Sequence, residues 1–87
     1  MLGLAPSAAA AAALGAQIDT HTDTLAKLTW SIDHHDLPDW AAQIGPQTLV
    51  VIDEAGMADT LSLDAAVGHI LARGGSVRLV GDDQQLA

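Results

Sequence analysis

Two places in the chain put groups suited to phosphate chemistry directly after a strand-like segment. Thr48-Leu49-Val50-Val51-Ile52 is a continuous apolar, largely β-branched run that stops at Asp53-Glu54-Ala55-Gly56, and Ser76 to Val80 repeats the pattern before Gly81-Asp82-Asp83-Gln84-Gln85. In open α/β sheets, ligands bind beyond the carboxyl ends of the strands, so acids and amides released there converge. A carboxylate at that edge can hold Mg²⁺ through its waters. A second one beside it can polarise a water that attacks a phosphoryl group, which is what ATP hydrolysis needs. Asp53 and Glu54 are the candidates for these roles. A glutamine at the neighbouring edge can bond a phosphate oxygen or a water without adding charge. The same Asp-Glu pair can equally do no more than cap the helix that follows its strand.

These residues need a frame. The run Leu49 to Ile52 fits a strand buried on both faces. From about Leu61 to Arg73, the residues Leu63, Val67, Ile70 and Leu71 line one helical face, Arg73 sits at the negative end of the dipole, and Gly74-Gly75 end the helix. Strand, crossover helix and strand make a βαβ unit, so the two strands should be parallel and close neighbours. Upstream, Leu2 to Ala5 reads as the tail of an extended segment, with Pro6 biasing Ala5 away from helical geometry. Ser7 is a candidate N-cap for a short helix through Ala8 to Ala13 and Leu14, with Gly15 as its stop. Asp19 to Asp23 reads as a polar turn, and Leu25, Leu28 and Ile32 recur at helical spacing over about Thr24 to Ile32. Pro38 suits the first turn of a further short helix carrying Trp40, and Gly45-Pro46 breaks the chain again.

Length and composition bound what this frame can do. Eighty-seven residues make at most one small domain, and a chain 49% hydrophobic and 16% charged is too apolar to be intrinsically disordered. The formal net charge is −8, with Lys27, Arg73 and Arg78 the only Lys or Arg residues. That is a poor footprint for gripping a nucleic-acid backbone, so any such role must borrow basic surface from elsewhere. There is no cysteine, which excludes disulfides and thiolate metal sites. The apolar start, Met1 to Leu14, lacks the basic region of a signal peptide and is too short to span a bilayer, so no membrane role and a cytoplasmic setting are expected. His34-His35-Asp36 reads as a solvated helix end, because adjacent helical histidines point about 100° apart and chelate poorly. His69 reads as a surface residue of its helix. Trp30 and Trp40 read as packing residues, since neither lies among the basic residues that usually accompany base stacking.

Taken together, the segments resemble the ATPase core of superfamily 1 DNA helicases, in particular the RecD-like helicase part of MobF-type conjugative relaxases. Val50-Val51-Ile52-Asp53-Glu54-Ala55-Gly56-Met57 is similar to helicase motif II, the Walker B segment. Leu79-Val80-Gly81-Asp82-Asp83-Gln84-Gln85-Leu86-Ala87 is similar to motif III, and Leu4-Ala5-Pro6-Ser7-Ala8-Ala9 to motif Ia. Thr24-Leu25-Ala26-Lys27-Leu28 sits where a further DNA-side motif would fall. The resemblance covers nearly the whole chain. It implies an α/β fold, a partial P-loop NTPase (RecA-like) three-layer arrangement with a parallel sheet, incomplete at both ends, with residues 1–87 forming a fragment of the first helicase lobe.

By the same resemblance the complete parent would use ATP and Mg²⁺. Asp53 would carry the metal and Glu54 would be the catalytic base, Gln85 would couple the γ-phosphate to movement, and Pro6 and Ser7 would contact single-stranded DNA. The remaining helicase lobes, and a relaxase domain where one is attached, would be its partners. The chain departs from the family in having no Gly-x-x-x-x-Gly-Lys loop, which in the family precedes motif Ia, and no arginine-bearing motifs after motif III. Alone it should not turn over ATP. Two other readings remain at this stage. One is a receiver-like domain accepting a phosphoryl group on Asp53, for which the needed early acidic pair and late lysine are missing. The other is a non-catalytic remnant that folds or binds a partner.

Overall fold

The computed structural model describes residues 1–80. Strand β1 (Leu2–Ala5) leads into α1 (Ala8–Ile18), β2 (Thr22–Thr24), α2 (Leu25–Asp33), the short α3 (Asp39–Ala42), β3 (Leu49–Ile52), α4 (Thr60–Ala72) and β4 (Ser76–Leu79), with a 3₁₀ turn over Ala55–Met57. All strand pairs are parallel and the order is β2-β1-β3-β4. The expected βαβ unit is present, with Val50 level with Val77 and Ile52 with Leu79.

Strand order and handedness together dictate the layers. The chain moves from β1 to β2 in one direction, then back past β1 to β3 and on to β4 in the other. Right-handed crossovers therefore put α1 on one face of the sheet and α2 and α4 on the opposite face. Packing agrees. Leu2, Leu4, Val50 and Ile52 join Leu25 and Leu28 of α2 and Ala66 and Ile70 of α4 in one core, whereas Ala5, which points the other way from Leu4, packs on Ala10 and Ala11 of α1. The result is the expected three-layer α/β fold with a parallel sheet, consistent with a partial P-loop NTPase. Leu4, Leu25, Leu28, Val50, Ile52 and Ile70 are fully buried. Each contributes roughly 1.5–3 kcal/mol by leaving water.

Several local expectations need correction. Gly15 does not stop α1, which runs on to Ile18 and ends with Asp19 in the left-handed region, its N–H bonded to the Gly15 carbonyl. A Cβ at Gly15 would lie 2.9 Å from Thr22 Oγ1, so the glycine serves close approach of α1 to β2. The stretch Asp19 to Asp23, read as a polar turn, runs into β2, and Gly3 N–H joins β1 to its start by bonding the His21 carbonyl. Strand β3 is buried on one face: Val50 and Ile52 are inaccessible, Val51 is half-buried and Leu49 is exposed, because α1 covers β1 and β2 and does not reach over β3. Leu71 is exposed as well, since it lies about 100° round α4 from the buried Ile70.

The end of α4 follows the glycine rule. Gly74, at φ +86, donates to the Leu71 carbonyl while Gly75 donates to that of Ile70, the paired bonds of a Schellman motif. Arg73 does more than face its own helix dipole. Its Nε donates to the Ile44 carbonyl at 2.9 Å and its Nη2 to the Ala42 carbonyl at 2.6 Å, tying α4 to the end of α3.

His69 is half-buried rather than a surface residue, and its Nε2 is sealed from solvent without a hydrogen-bond partner. Burial, aided by the Arg73 guanidinium, pushes its pKa below the ordinary 6.5. The unfolded chain therefore takes up this proton more readily than the folded one. The His69 contribution to stability is expected to be complete above about pH 6.5 and to be lost as pH falls from there through the lower folded value. Urea midpoints measured across that window in chelator-treated buffer should show the loss, and His69→Gln should flatten it.

Candidate functional site

The reversal of winding at β1 creates the site. The chain leaves β1 toward one side of the sheet and leaves β3 toward the other, so a crevice opens between their carboxyl ends, the usual ligand position in such sheets. Leu4 is level with Ile52, and Asp53 N–H donates to the Leu4 carbonyl at 2.8 Å. Ala5-Pro6-Ser7 and Asp53-Glu54 thus leave the sheet side by side. Motif distance along the chain gives no hint of this, because the two segments are brought together by strand order.

On the β3 side, Asp53 is half-buried and Glu54 exposed. Asp53 Oδ1 accepts a hydrogen bond from Glu54 N–H at 3.0 Å. Glu54 itself adopts φ +53, ψ +39, a left-handed conformation that non-glycine residues rarely occupy and that is commonly retained where function requires it. The bend turns the chain sharply at the strand end, and Ala55 N–H then donates to the Val80 carbonyl beyond β4 at 3.0 Å. The Asp-Glu pair does not cap α4. That task falls to Asp59, whose Oδ1 accepts from Ser62 N–H at 2.8 Å, a bond that holds the Asp59 carboxyl below the usual carboxylate range.

On the β1 side, Ser7 is the N-cap of α1, its Oγ accepting from Ala10 N–H at 3.1 Å. Its hydroxyl hydrogen has no acceptor among the described residues, at the helix end whose dipole favours anions. Pro6 lines a small cleft of about 140 Å³ with Leu25, Ala26, Met57, Ala58, Asp59 and Ser62, where the N-terminal turns of α2 and α4 approach the crevice. The part of this cleft contributed by Met57 to Ser62 is not apparent from sequence, since nothing in that stretch departs from an ordinary strand-to-helix connection.

The carboxylates suit a magnesium ion of the kind that keeps most of its waters and takes one or two protein carboxylates plus phosphate oxygens. With Oδ1 engaged by Glu54 N–H, Asp53 retains Oδ2 for such an ion. Among the described residues no group of three or more His, Asp or Glu gathers to form a closed cage. Asp82, Asp83 and Gln85 lie outside the described residues. Trp30 is half-exposed and stacked on His34 at 4.1 Å, while Trp40 packs against the core and stacks on His21 at 5.1 Å. No described helix is long and apolar enough to cross a membrane.

An all-parallel α/β sheet with helices on both faces and an acidic pair at the crevice where its winding reverses defines a nucleotide-binding class of the P-loop NTPase type. A family described as AAA domain matches residues 1–87, and the chain belongs to that family. Members of this family generally bind ATP with Mg²⁺. Comparison with curated proteins and with solved structures finds no match.

Proposed function

We propose that the chain supplies part of the ATPase core of a DNA helicase or translocase, within the first RecA-like lobe, as in the helicase part of conjugative relaxases. The observation that carries this reading is the pairing of Ala5-Pro6-Ser7 with Asp53-Glu54 across one crevice. That arrangement sets a hydrolytic pair beside a helix N-terminus able to receive a phosphate of single-stranded DNA. Glu54 takes a proton from the attacking water. Asp53 holds Mg²⁺, which offsets charge on the phosphates when bound. Ser7 and Pro6 meet the DNA backbone, and Gln85 reports the state of the γ-phosphate to that strand.

The chain's own surface supports a larger assembly. Beyond β1, the α1 side of the sheet carries exposed Leu49 and Val80. Strand β4 has no further partner among the described residues. A strand added there would bring a phosphate-binding loop to the Asp53-Glu54 edge, and it would come from the parent protein, as would the second lobe with its arginines. A relaxase domain belongs to the same parent in the conjugative setting.

The test is Gln85→Ala in a parent protein carrying the phosphate loop. DNA-stimulated ATP hydrolysis should fall by more than about tenfold, a loss near 1.4 kcal/mol of coupling, while ATP binding changes little. The isolated 87-residue chain, assayed alongside, should show no turnover. Equal loss of binding and stimulation in the variant would remove Gln85 from its sensing role.

A further inference from the structure

Trp30 is 50% exposed and, unlike Trp40, takes no part in the core, so the expectation that it packs there is corrected. What holds it is His34, one turn further along α2, whose ring stacks on the indole with centroids 4.1 Å apart and planes inclined by 19°. The His34 ring is itself pinned. Its Nδ1–H and its backbone N–H both donate to the Trp30 carbonyl, at 2.8 and 3.1 Å. The two residues thus form one aromatic slab that is fixed before any ligand arrives. It stands on the side of α2 turned away from the buried Leu25 and Leu28.

The charge around the slab is one-sided. At about 100° per residue, Lys27 and His34 lie to one side of Trp30 and Asp33 to the other. Lys27 is the chain's one lysine; it is exposed and makes no ion pair among the described residues, whereas Arg73 is committed to backbone carbonyls. It stands one turn before Trp30, about 4.5 Å along the axis, a separation that one nucleotide spans between its phosphate and its base. Helix α2 begins where Leu25 and Ala26 line a cleft with Pro6, the residue beside Ser7, so this stripe leads away from the crevice. We propose that the outer face of α2 is a contact surface for single-stranded DNA, in which Lys27 meets a phosphate and the slab of Trp30 and His34 stacks on an adjoining base. Aromatic faces accept every base, so the contact tolerates any sequence. One cation on a chain of net charge −8 supplies little affinity alone. The surface therefore extends a track begun at Pro6 and Ser7, and it rests on the reading of those two residues as DNA contacts.

The test titrates the full chain with an oligothymidine single strand at low ionic strength and follows it by NMR. The sequence holds two tryptophans, so the two indole N–H resonances report separately on slab and core. The Trp30 resonance should shift and its fluorescence should be quenched, while the Trp40 resonance stays in place. A duplex of the same length, whose bases are already stacked, should move neither. Trp30→Ala should weaken binding of the single strand by about tenfold or more, and Lys27→Ala should weaken it and lower the salt slope by about one. Both side chains are exposed, so both variants should keep the far-UV spectrum of the unaltered chain. A Trp30 resonance that stays put while the Ser7 and Ala8 amides respond overturns the proposal and leaves the DNA reading standing; the stacked pair is then a helix brace alone. Silence at Trp30 and Ser7 together overturns both. A response at Trp30 without one at Ser7 supports the α2 contact and removes Ser7 from the track. Unchanged affinity in Trp30→Ala overturns the proposal as well.

Discussion

Glu54→Gln in a complete parent enzyme is expected to slow ATP hydrolysis by about 10² to 10⁴ fold while nucleotide binding survives, the scale on which a general base contributes. Glutamine matches glutamate in size and can still hold a water, but it cannot take that water's proton. The local frame should be unaffected, because the contact that shapes the bend runs from the Glu54 backbone N–H to Asp53 Oδ1 and leaves the Glu54 side chain out. Asp53, with its second oxygen available, should continue to hold the metal. Single-turnover hydrolysis measured beside equilibrium nucleotide binding separates the two effects. Near-normal hydrolysis would take the base role away from Glu54. Parallel loss of binding and hydrolysis would point to a collapsed strand end.

Leu4→Ala is expected to destabilise the fold by about 2–5 kcal/mol, the range for truncating a large side chain in a core. Leu4 is wholly inaccessible at the centre of the sheet, between β2 and β3, and faces Leu25, Leu28 and Ile70 across the main core. Folded domains are stable by only about 5–15 kcal/mol, and chains of this size sit toward the lower end, so the loss could consume most of the margin. A urea titration followed by tryptophan fluorescence gives the shift, with Trp40 reporting the core. The same substitution at Leu61, which is 83% exposed, should change the midpoint little and serves as the control.

The parts of this fold that can be read from sequence are those written in local pattern. The apolar run of β3 and the alternating Val77 and Leu79 of β4, with an amphipathic helix between them, define a parallel unit, and Thr24, Leu25 and Leu28 mark α2, whose N-cap Thr24 accepts from Lys27 N–H. Strand β2 escapes such reading because Thr22-Asp23-Thr24 has no apolar alternation. It is a strand because its neighbours make it one, through Gly3 N–H and through Thr22 Oγ1, which donates to the Ala11 carbonyl. Gly15 misleads for a related reason: glycine marks helix ends by its backbone freedom, but here its missing side chain matters instead. In the site, the chemistry of Asp53 and Glu54 is legible, whereas their position next to Ser7 depends on strand order.

The central place of β1 carries a consequence for how the polypeptide is made. Leu2–Ala5 is synthesised roughly fifty residues before its partner across the sheet, Ile52 against Leu4, a long-range pairing of the slow kind. At about 5–20 residues per second, the most buried strand waits several seconds for its neighbour. During that interval the nascent chain displays a segment that the finished fold buries completely, and a holding chaperone has a target there.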